Sequence, residues 1–321
     1  LGYSMPSPNK SSGQVLCFQD VLNLEGSKPS QRNSSHHYHG QEDNDDEHAV
    51  ANAFFELANA KAISYRISPS CEISIHQDVS ACGQHTGGIV WETSYLLLNY
   101  LRATGHSCQR LLEVGAGCGL VGLGCHKMGT KLATKEVIIT ETNEVMKNLT
   151  ENWRRNYPSL KEEDIGKDDN DDNKESSFVP KLRICELDWT RYREDCKKAK
   201  IKKHSVDTIV GTDVVFATSL VEPLLQTMRY LAHDDTVAYL CLQERCKDSH
   251  QLLLDKAATY DFKIQDISEE YAALPECKWG KDLECCLLKF TIIIDNNKKK
   301  KATKATKKAR KGKRKRSKEM G

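Results

Sequence analysis

The chain predicts an α/β fold: a doubly wound sheet of seven strands preceded by an antiparallel β-hairpin. Three observations carry this. From residue 110 onward, short apolar segments rich in Val and Ile alternate with segments whose apolar residues recur at helical spacing. The first such strand runs into a glycine-rich turn, Glu113-Val114-Gly115-Ala116-Gly117-Cys118-Gly119-Leu120-Val121-Gly122. A strand that passes through glycines into a helix opens sheets of this type, whose ligand crevice lies outside the carboxyl ends of the strands. Upstream, Ala62–Ile67 and Cys71–Ile75 alternate with period two around Pro69, which reads as the hairpin.

In order along the chain, residues 1–48 are rich in Ser, Asn, His and Asp and predict a disordered polar segment. His36-His37-Tyr38-His39 lies within it, but no further Cys or His pair completes a metal site, so no metal is expected. A single domain then spans 49–297, with the hairpin at about 60–80. Gly87-Gly88-Ile89-Val90-Trp91-Glu92 opens an apolar helix ending near Gly105. Strands are expected at Arg110–Val114, Glu136–Thr140, Lys181–Leu187, Val206–Val210, Val237–Gln243, Phe262–Ile267 and Glu284–Ile294. Helices are expected at Leu120–Met128, Asn143–Asn156, Leu220–Leu231 and Ser249–Tyr260, with Asn143 as an N-cap. Residues 161–177 hold eight acids against three lysines and read as a solvated surface insertion.

Charge is strongly segregated. The chain carries 47 basic and 45 acidic residues, yet fourteen of the basic ones fall between Lys298 and Lys318, followed by Glu319. Without that tail, 33 basic residues face 44 acidic ones, a net charge of −11. Residues 298–321 therefore read as a disordered basic arm. No aromatic residue interleaves its lysines, which excludes a stacking surface for single-stranded nucleic acid. Salt-dependent contact with phosphate or an import receptor reading Lys313-Arg314-Lys315-Arg316 remains. Thirteen scattered cysteines without a Cys-x-x-Cys pair fit neither a disulfide framework nor a zinc site, so reduced thiols in a cytoplasmic and nuclear protein are expected. No apolar run is long enough to span a bilayer, so no membrane partner is expected; nothing in the pattern demands more than a monomer.

The glycine turn admits two ligands. Gly117-Cys118-Gly119-Leu120-Val121-Gly122 satisfies the G-x-G-x-x-G pattern of dinucleotide sites. Glu113 weighs against that: at the mouth of the loop it would repel a pyrophosphate and suit the ammonium and sulfonium of S-adenosylmethionine. The other candidate residues stand at successive strand ends. Glu141 can hydrogen-bond ribose hydroxyls, Asp188-Trp189 can stack on adenine, and Thr212-Asp213-Val214-Val215-Phe216 stands beside the reacting group. Asp213 could hold and orient a substrate ammonium beside an aromatic wall at Phe216, or it could merely cap the helix that follows.

Trp91-Glu92, the glycine turn, Leu187-Asp188-Trp189, Gly211-Thr212-Asp213-Val214-Val215-Phe216 and Glu222-Pro223-Leu224-Leu225 together resemble family 16 methyltransferases. The similarity is to the methyltransferase-like 21 group of protein-lysine methyltransferases, which includes the enzyme acting on valosin-containing protein. It covers about residues 60–294. It implies a seven-strand class I methyltransferase fold, S-adenosylmethionine as donor, and a cofactor site lined by Trp91, Gly115, Ala116, Gly117, Glu141, Trp189 and Thr212, to which the turn adds Glu113 and Gly119 and the third strand end adds Asp188. Substrates of chaperone, AAA ATPase or elongation-factor type are implied. Two departures stand out: Glu141 where many relatives have Asp, and Phe216 where the family's Asp-x-x-Tyr motif has Tyr. A lost hydroxyl costs roughly 0.5–1.5 kcal/mol if it made an ordinary hydrogen bond. Gln243-Glu244-Arg245 resembles, more loosely, a segment near the family's acceptor site. A small-molecule N-methyltransferase and a non-catalytic interaction protein are the competing functions.

Overall fold

A computed structural model describes residues 15–22, 42–80, 86–159 and 180–294. Strands β1 (Val15–Cys17), β2 (Ala62–Ser68) and β3 (Cys71–His76) form a small sheet, β2 and β3 being the antiparallel hairpin and β1 adding in parallel at the β2 edge. The large sheet comprises β4 (Cys108–Glu113), β5 (Ala133–Glu141), β6 (Lys181–Glu186), β7 (Val206–Thr212), β8 (Ala232–Gln243), β9 (Phe262–Asp266) and β10 (Cys285–Ile292). Their order is β6-β5-β4-β7-β8-β10-β9, with β10 antiparallel to both neighbours and the other pairings parallel. The chain reverses direction across the sheet between β4 and β7, which places the ligand crevice at their carboxyl ends. This is the seven-strand order that the resemblance to class I methyltransferases implies.

Helices follow as α1 (Phe18–Val21), α2 (Glu42–Asn59), α3 (Glu92–Ala103), α4 (Leu120–Lys127), α5 (Asn143–Asn156), α6 (Tyr192–Lys198), α7 (Thr218–Leu231), α8 (Lys247–Ala257) and α9 (Ser268–Ala272). The central parallel strands β4, β5 and β7 are buried on both faces, and alternate residues feed two separate cores. Leu111, Val137, Ile139 and Val210 pack under α3, α4 and α5. Leu112, Ile138 and Ile209 pack under α7 and α8. The hairpin is tied to this body by two amides one helical turn apart on α5. Asn152 exchanges hydrogen bonds with the backbone of His76, and Asn156 with that of Ser74, so the helix serves the free edge of β3 as a further strand would.

The expectation of disorder across residues 1–48 is corrected at two places. Residues 15–22 are folded, and α2 begins at Glu42. Phe18 is fully buried, its ring stacked on Tyr95 at 4.3 Å between centroids and flanked by Phe54, Tyr65 and Trp279. The short apolar run Val15–Phe18 outweighs its polar surroundings because an aromatic cluster receives it. Phe18→Ala is expected to destabilise the fold by about 3–5 kcal/mol, read as a lowered denaturation midpoint. An unchanged midpoint would show that the segment contributes nothing to the fold.

Three smaller differences concern helices. Thr142, not Asn143, is the N-cap of α5. Helices α6 and α9 were not expected; at seven and five residues, neither is long enough to show a full amphipathic repeat. The acidic insertion, the His36–His39 run and the basic arm lie outside the described residues. Among the described residues no disulfide joins the cysteines, no His, Cys, Asp and Glu grouping could hold a metal, and no helix is long and apolar enough to cross a membrane.

Candidate active site

The turn after β4 is built on left-handed backbone. Gly115, Gly117 and Gly119 have φ of +62°, +54° and +87°, a region that side chains with a Cβ rarely enter. Position 115 is also closed by space: a Cβ there would stand 2.9 Å from Val214 Cγ1 and 3.2 Å from Trp189 Cζ2. The loop is held from three sides. Ala116 N–H donates to Thr140 O, Asn152 donates to Cys118 O, and Gly117 N–H donates to Glu141 Oε2 at 2.7 Å. Glu141 Oε1 accepts from Thr142 N–H at 2.7 Å, so one carboxylate joins the glycine turn to the start of α5.

Glu113 is not at the mouth of this loop. It is 1% exposed, beneath α4, where Oε2 accepts from Gly122 N–H at 2.8 Å. Gly122 is what permits the approach, since a Cβ there would fall 2.4 Å from that oxygen. The acidic groups at the cavity wall are instead Glu141, Asp188 and Asp213, so Glu113 is not placed to repel a pyrophosphate. Burial pushes the Glu113 carboxyl up to about 8; the Gly122 bond opposes this and the charge of Glu141 adds to it.

That elevation makes stability fall with pH. The unfolded chain releases this proton near 4.5, whereas the folded chain keeps it until about 8. Between those values the folded state binds more protons, so the contribution is fully present below the window and declines through it. Glu113→Gln resembles the protonated acid and removes the decline. Its denaturation midpoint should therefore gain on the wild type between pH 5 and pH 8. A pH-independent difference would contradict this assignment.

A cavity of about 410 Å³ opens at the carboxyl ends of β4 to β7, within the roughly 300–1,000 Å³ common for small-molecule sites. Trp91, Gly115, Ala116, Gly117, Gly119, Glu141, Asp188, Trp189, Thr212, Asp213 and Phe216 all line it; Glu113 does not. Asp188 turns back on its own segment, accepting from Thr190 and Arg191 and capping the tight turn that presents Trp189. Thr212 pairs its hydroxyl with that of Ser94 on α3 at 2.9 Å. Phe216 is 42% exposed at the cavity wall.

Asp213 has the most constrained geometry of these residues. Its φ is +49°, uncommon for a residue with a side chain. Oδ1 accepts from Gln243 N–H at 2.8 Å and Oδ2 from Arg245 Nη2 at 3.0 Å. It does not cap α7, which starts at Thr218 with Ala217 at the cap. Burial pushes its carboxyl above the ordinary range, the adjacent Arg245 pulls it down, and Glu92 raises it further.

A family model described as lysine methyltransferase matches residues 67–257. The chain belongs to the lysine methyltransferase family. It is 27% identical over 197 residues to protein N-lysine methyltransferase METTL21A of Xenopus tropicalis, spanning 61% of this chain and 76% of that protein. The Mus musculus METTL21A is 26% identical, over 57% of this chain and 72% of its own length. EEF1A lysine methyltransferase 3 of Xenopus tropicalis is 22% identical, with 63% and 73% covered. Among solved structures, a TehB-like SAM-dependent methyltransferase from Corynebacterium glutamicum matches with a TM-score of 0.41 at 15% identity, covering 67% of this chain and 92% of that one.

S-adenosylmethionine is the cofactor of this enzyme, and the cavity suits it. The left-handed glycines leave bare backbone along one wall, where a Cβ at 115 would otherwise intrude. Glu141 would hold the ribose hydroxyls, Trp189 would face the adenine, and Trp91 and Thr212 would complete the wall. Family membership decides between the two ligands that the glycine pattern left open.

Several lining residues were not foreseen from the sequence. Thr86, Gly87, Ile89 and Val90 also line the cavity, packed against the glycine turn with Gly87 O accepting from the Cys118 thiol at 3.5 Å. The pair Gly87-Gly88 was a usable signal, since two glycines before an apolar helix permit close backbone approach. The sequence marks Arg245 only through the loose resemblance of Gln243-Glu244-Arg245. Its guanidinium reaches Glu92 as well as Asp213 and lies over the ring of Trp91.

Proposed function

We propose that this chain is a protein-lysine N-methyltransferase acting on a non-histone protein of chaperone, AAA ATPase or elongation-factor type. The observation that carries the reading is an acidic, left-handed Asp213 at the wall of a cofactor cavity in a lysine methyltransferase. The similarity to relatives that include two protein N-lysine methyltransferases and an EEF1A lysine methyltransferase supports a protein acceptor.

S-adenosylmethionine supplies a methyl group on a sulfonium, already activated for transfer. The chain's own task is to align a nucleophile, exclude water and provide a neutral amine. An unperturbed lysine has a pKa of about 10.4, so near pH 7 roughly one in a few thousand is neutral. Asp213 attracts and orients the ammonium, and Phe216 forms part of an aromatic wall beside it. The amine sheds its proton to water as the site closes.

We assign the catalytic domain to residues 42–297 together with the folded segment 15–22, and the protein to cytoplasm and nucleus, with the basic arm as an import signal or a salt-dependent phosphate contact. A fluorescent fusion that stays wholly cytoplasmic would remove the import role. The enzymatic reading is tested by transfer of radiolabelled methyl from S-adenosylmethionine into a cell lysate, resolved on a denaturing gel. A discrete labelled protein, absent with Gly117→Arg, is the expected result. Label confined to the acid-soluble fraction would point to a small-molecule acceptor, and no label to a non-catalytic protein.

A further inference from the structure

Beside the cavity lies a second binding feature built from residues of three elements. Trp91 and Glu92 stand at the start of α3, Asp213 follows β7, and Arg245 sits in the short link between β8 and α8. Arg245 Nη2 donates to Glu92 Oε1 at 2.7 Å and to Asp213 Oδ2 at 3.0 Å. Its guanidinium carbon lies 4.6 Å from the centroid of the Trp91 ring. Two carboxylates and an aromatic face around one cation make a cage for a cation, by charge and by ring quadrupole together.

Three properties distinguish this cage from an ordinary surface ion pair. First, its acids are poorly accessible: the side chains of Glu92 and Asp213 are 14% and 6% exposed. Second, with both acids ionised the cage holds two negative charges against one positive, so its affinity for cations is not exhausted by Arg245. Third, Trp91 and Asp213 belong both to the cage and to the cofactor cavity, whereas Arg245 does not line the cavity. Arg245 is also the most exposed member, at 35%, on a long side chain that can leave for solvent by changing rotamer.

We propose that the Trp91–Glu92–Asp213 cage is the seat of the acceptor's alkylammonium group, and that Arg245 occupies it as an internal stand-in until a substrate lysine displaces it. The proposal rests on the lysine methyltransferase reading and deepens it. It adds Glu92 and Trp91 to the residues that select a cationic side chain, and it makes Arg245 a competitor of the substrate. A neutral nucleophile would not displace a guanidinium from two carboxylates, so the cage also favours lysine over uncharged acceptors.

The test is a binding measurement on the full chain with n-butylammonium as the probe, followed by tryptophan fluorescence at pH 8. Arg245→Ala empties the cage and should bind the amine about tenfold or more tighter than the wild type, a gain of about 1.4 kcal/mol per tenfold. Arg245→Lys keeps an internal cation and should bind as weakly as the wild type. Adding Asp213→Asn to Arg245→Ala should abolish the gain. Equal affinity in the wild type and a folded Arg245→Ala would overturn the proposal. Should Arg245→Ala fail to fold, the wild-type chain decides: saturating butylammonium must shift the Arg245 Nε–H resonance, and an unmoved resonance would overturn it. Because no methyl transfer is involved, a failure here leaves the enzymatic reading standing. Conversely, a chain that binds the amine but transfers no methyl loses that reading and keeps the cage.

Discussion

Asp213→Asn is expected to lower methyl transfer into lysate protein by about a hundredfold, equivalent to about 2.7 kcal/mol of barrier, while S-adenosylmethionine affinity changes little. Asparagine is the informative replacement. It tolerates the left-handed backbone at φ +49° and can still accept from Gln243 N–H. What it removes is the charge that faces Arg245 and the incoming ammonium. Alanine would keep the left-handed backbone, costly for a residue with a Cβ by about 1–2 kcal/mol, while removing the polar anchor to Gln243 N–H that helps hold it, and would confuse stability with chemistry. Turnover equal to the wild type would take Asp213 out of the mechanism.

The second large effect falls on the cofactor. Gly115→Ala places a Cβ 2.9 Å from Val214 Cγ1 and 3.2 Å from Trp189 Cζ2, on backbone that disfavours any side chain. Overpacking of this kind typically costs 1–3 kcal/mol, and relief requires moving the loop or the Trp189 ring, both of which form the cavity wall. S-adenosylmethionine affinity should fall by about a hundredfold, near 2.7 kcal/mol, measured by calorimetry on the full chain. Affinity within a factor of about two of the wild type, or less than 0.5 kcal/mol, would show that the ligand does not lie against this wall.

The central strands of the large sheet were legible because β5 and β7 carry short apolar runs, Val137-Ile138-Ile139 and Ile209-Val210, and parallel strands buried on both faces must be apolar on both. Their ends were less so. β8 starts at Ala232, five residues before the expected Val237, since His233, Asp234 and Asp235 project at the sheet margin and carry no apolar signal. The position of Glu113 was readable in principle. It lies two residues beyond Leu111, so period-two alternation puts it on the same face, under α4, and away from the mouth of the turn.

Other features depend on contacts that no local pattern encodes. Phe18 is buried because Tyr95 and Tyr65 receive it, and nothing within a few residues of position 18 announces them. Arg245 matters because Glu92, 153 positions earlier in the chain, and Asp213 converge on it. Asn152 looks like any polar helix residue, yet it joins β3 to the glycine turn through His76 and Cys118. Spacing reveals which residues share an element, and only the folded chain shows which elements share a site.

The most direct test of lysine methylation is chemical identification of the product. Protein labelled by the chain with radioactive S-adenosylmethionine is precipitated, hydrolysed to amino acids and separated by chromatography. The account predicts that the label co-migrates with N-methylated lysines. Label in any other amino acid, or none retained in the precipitated protein, would contradict it.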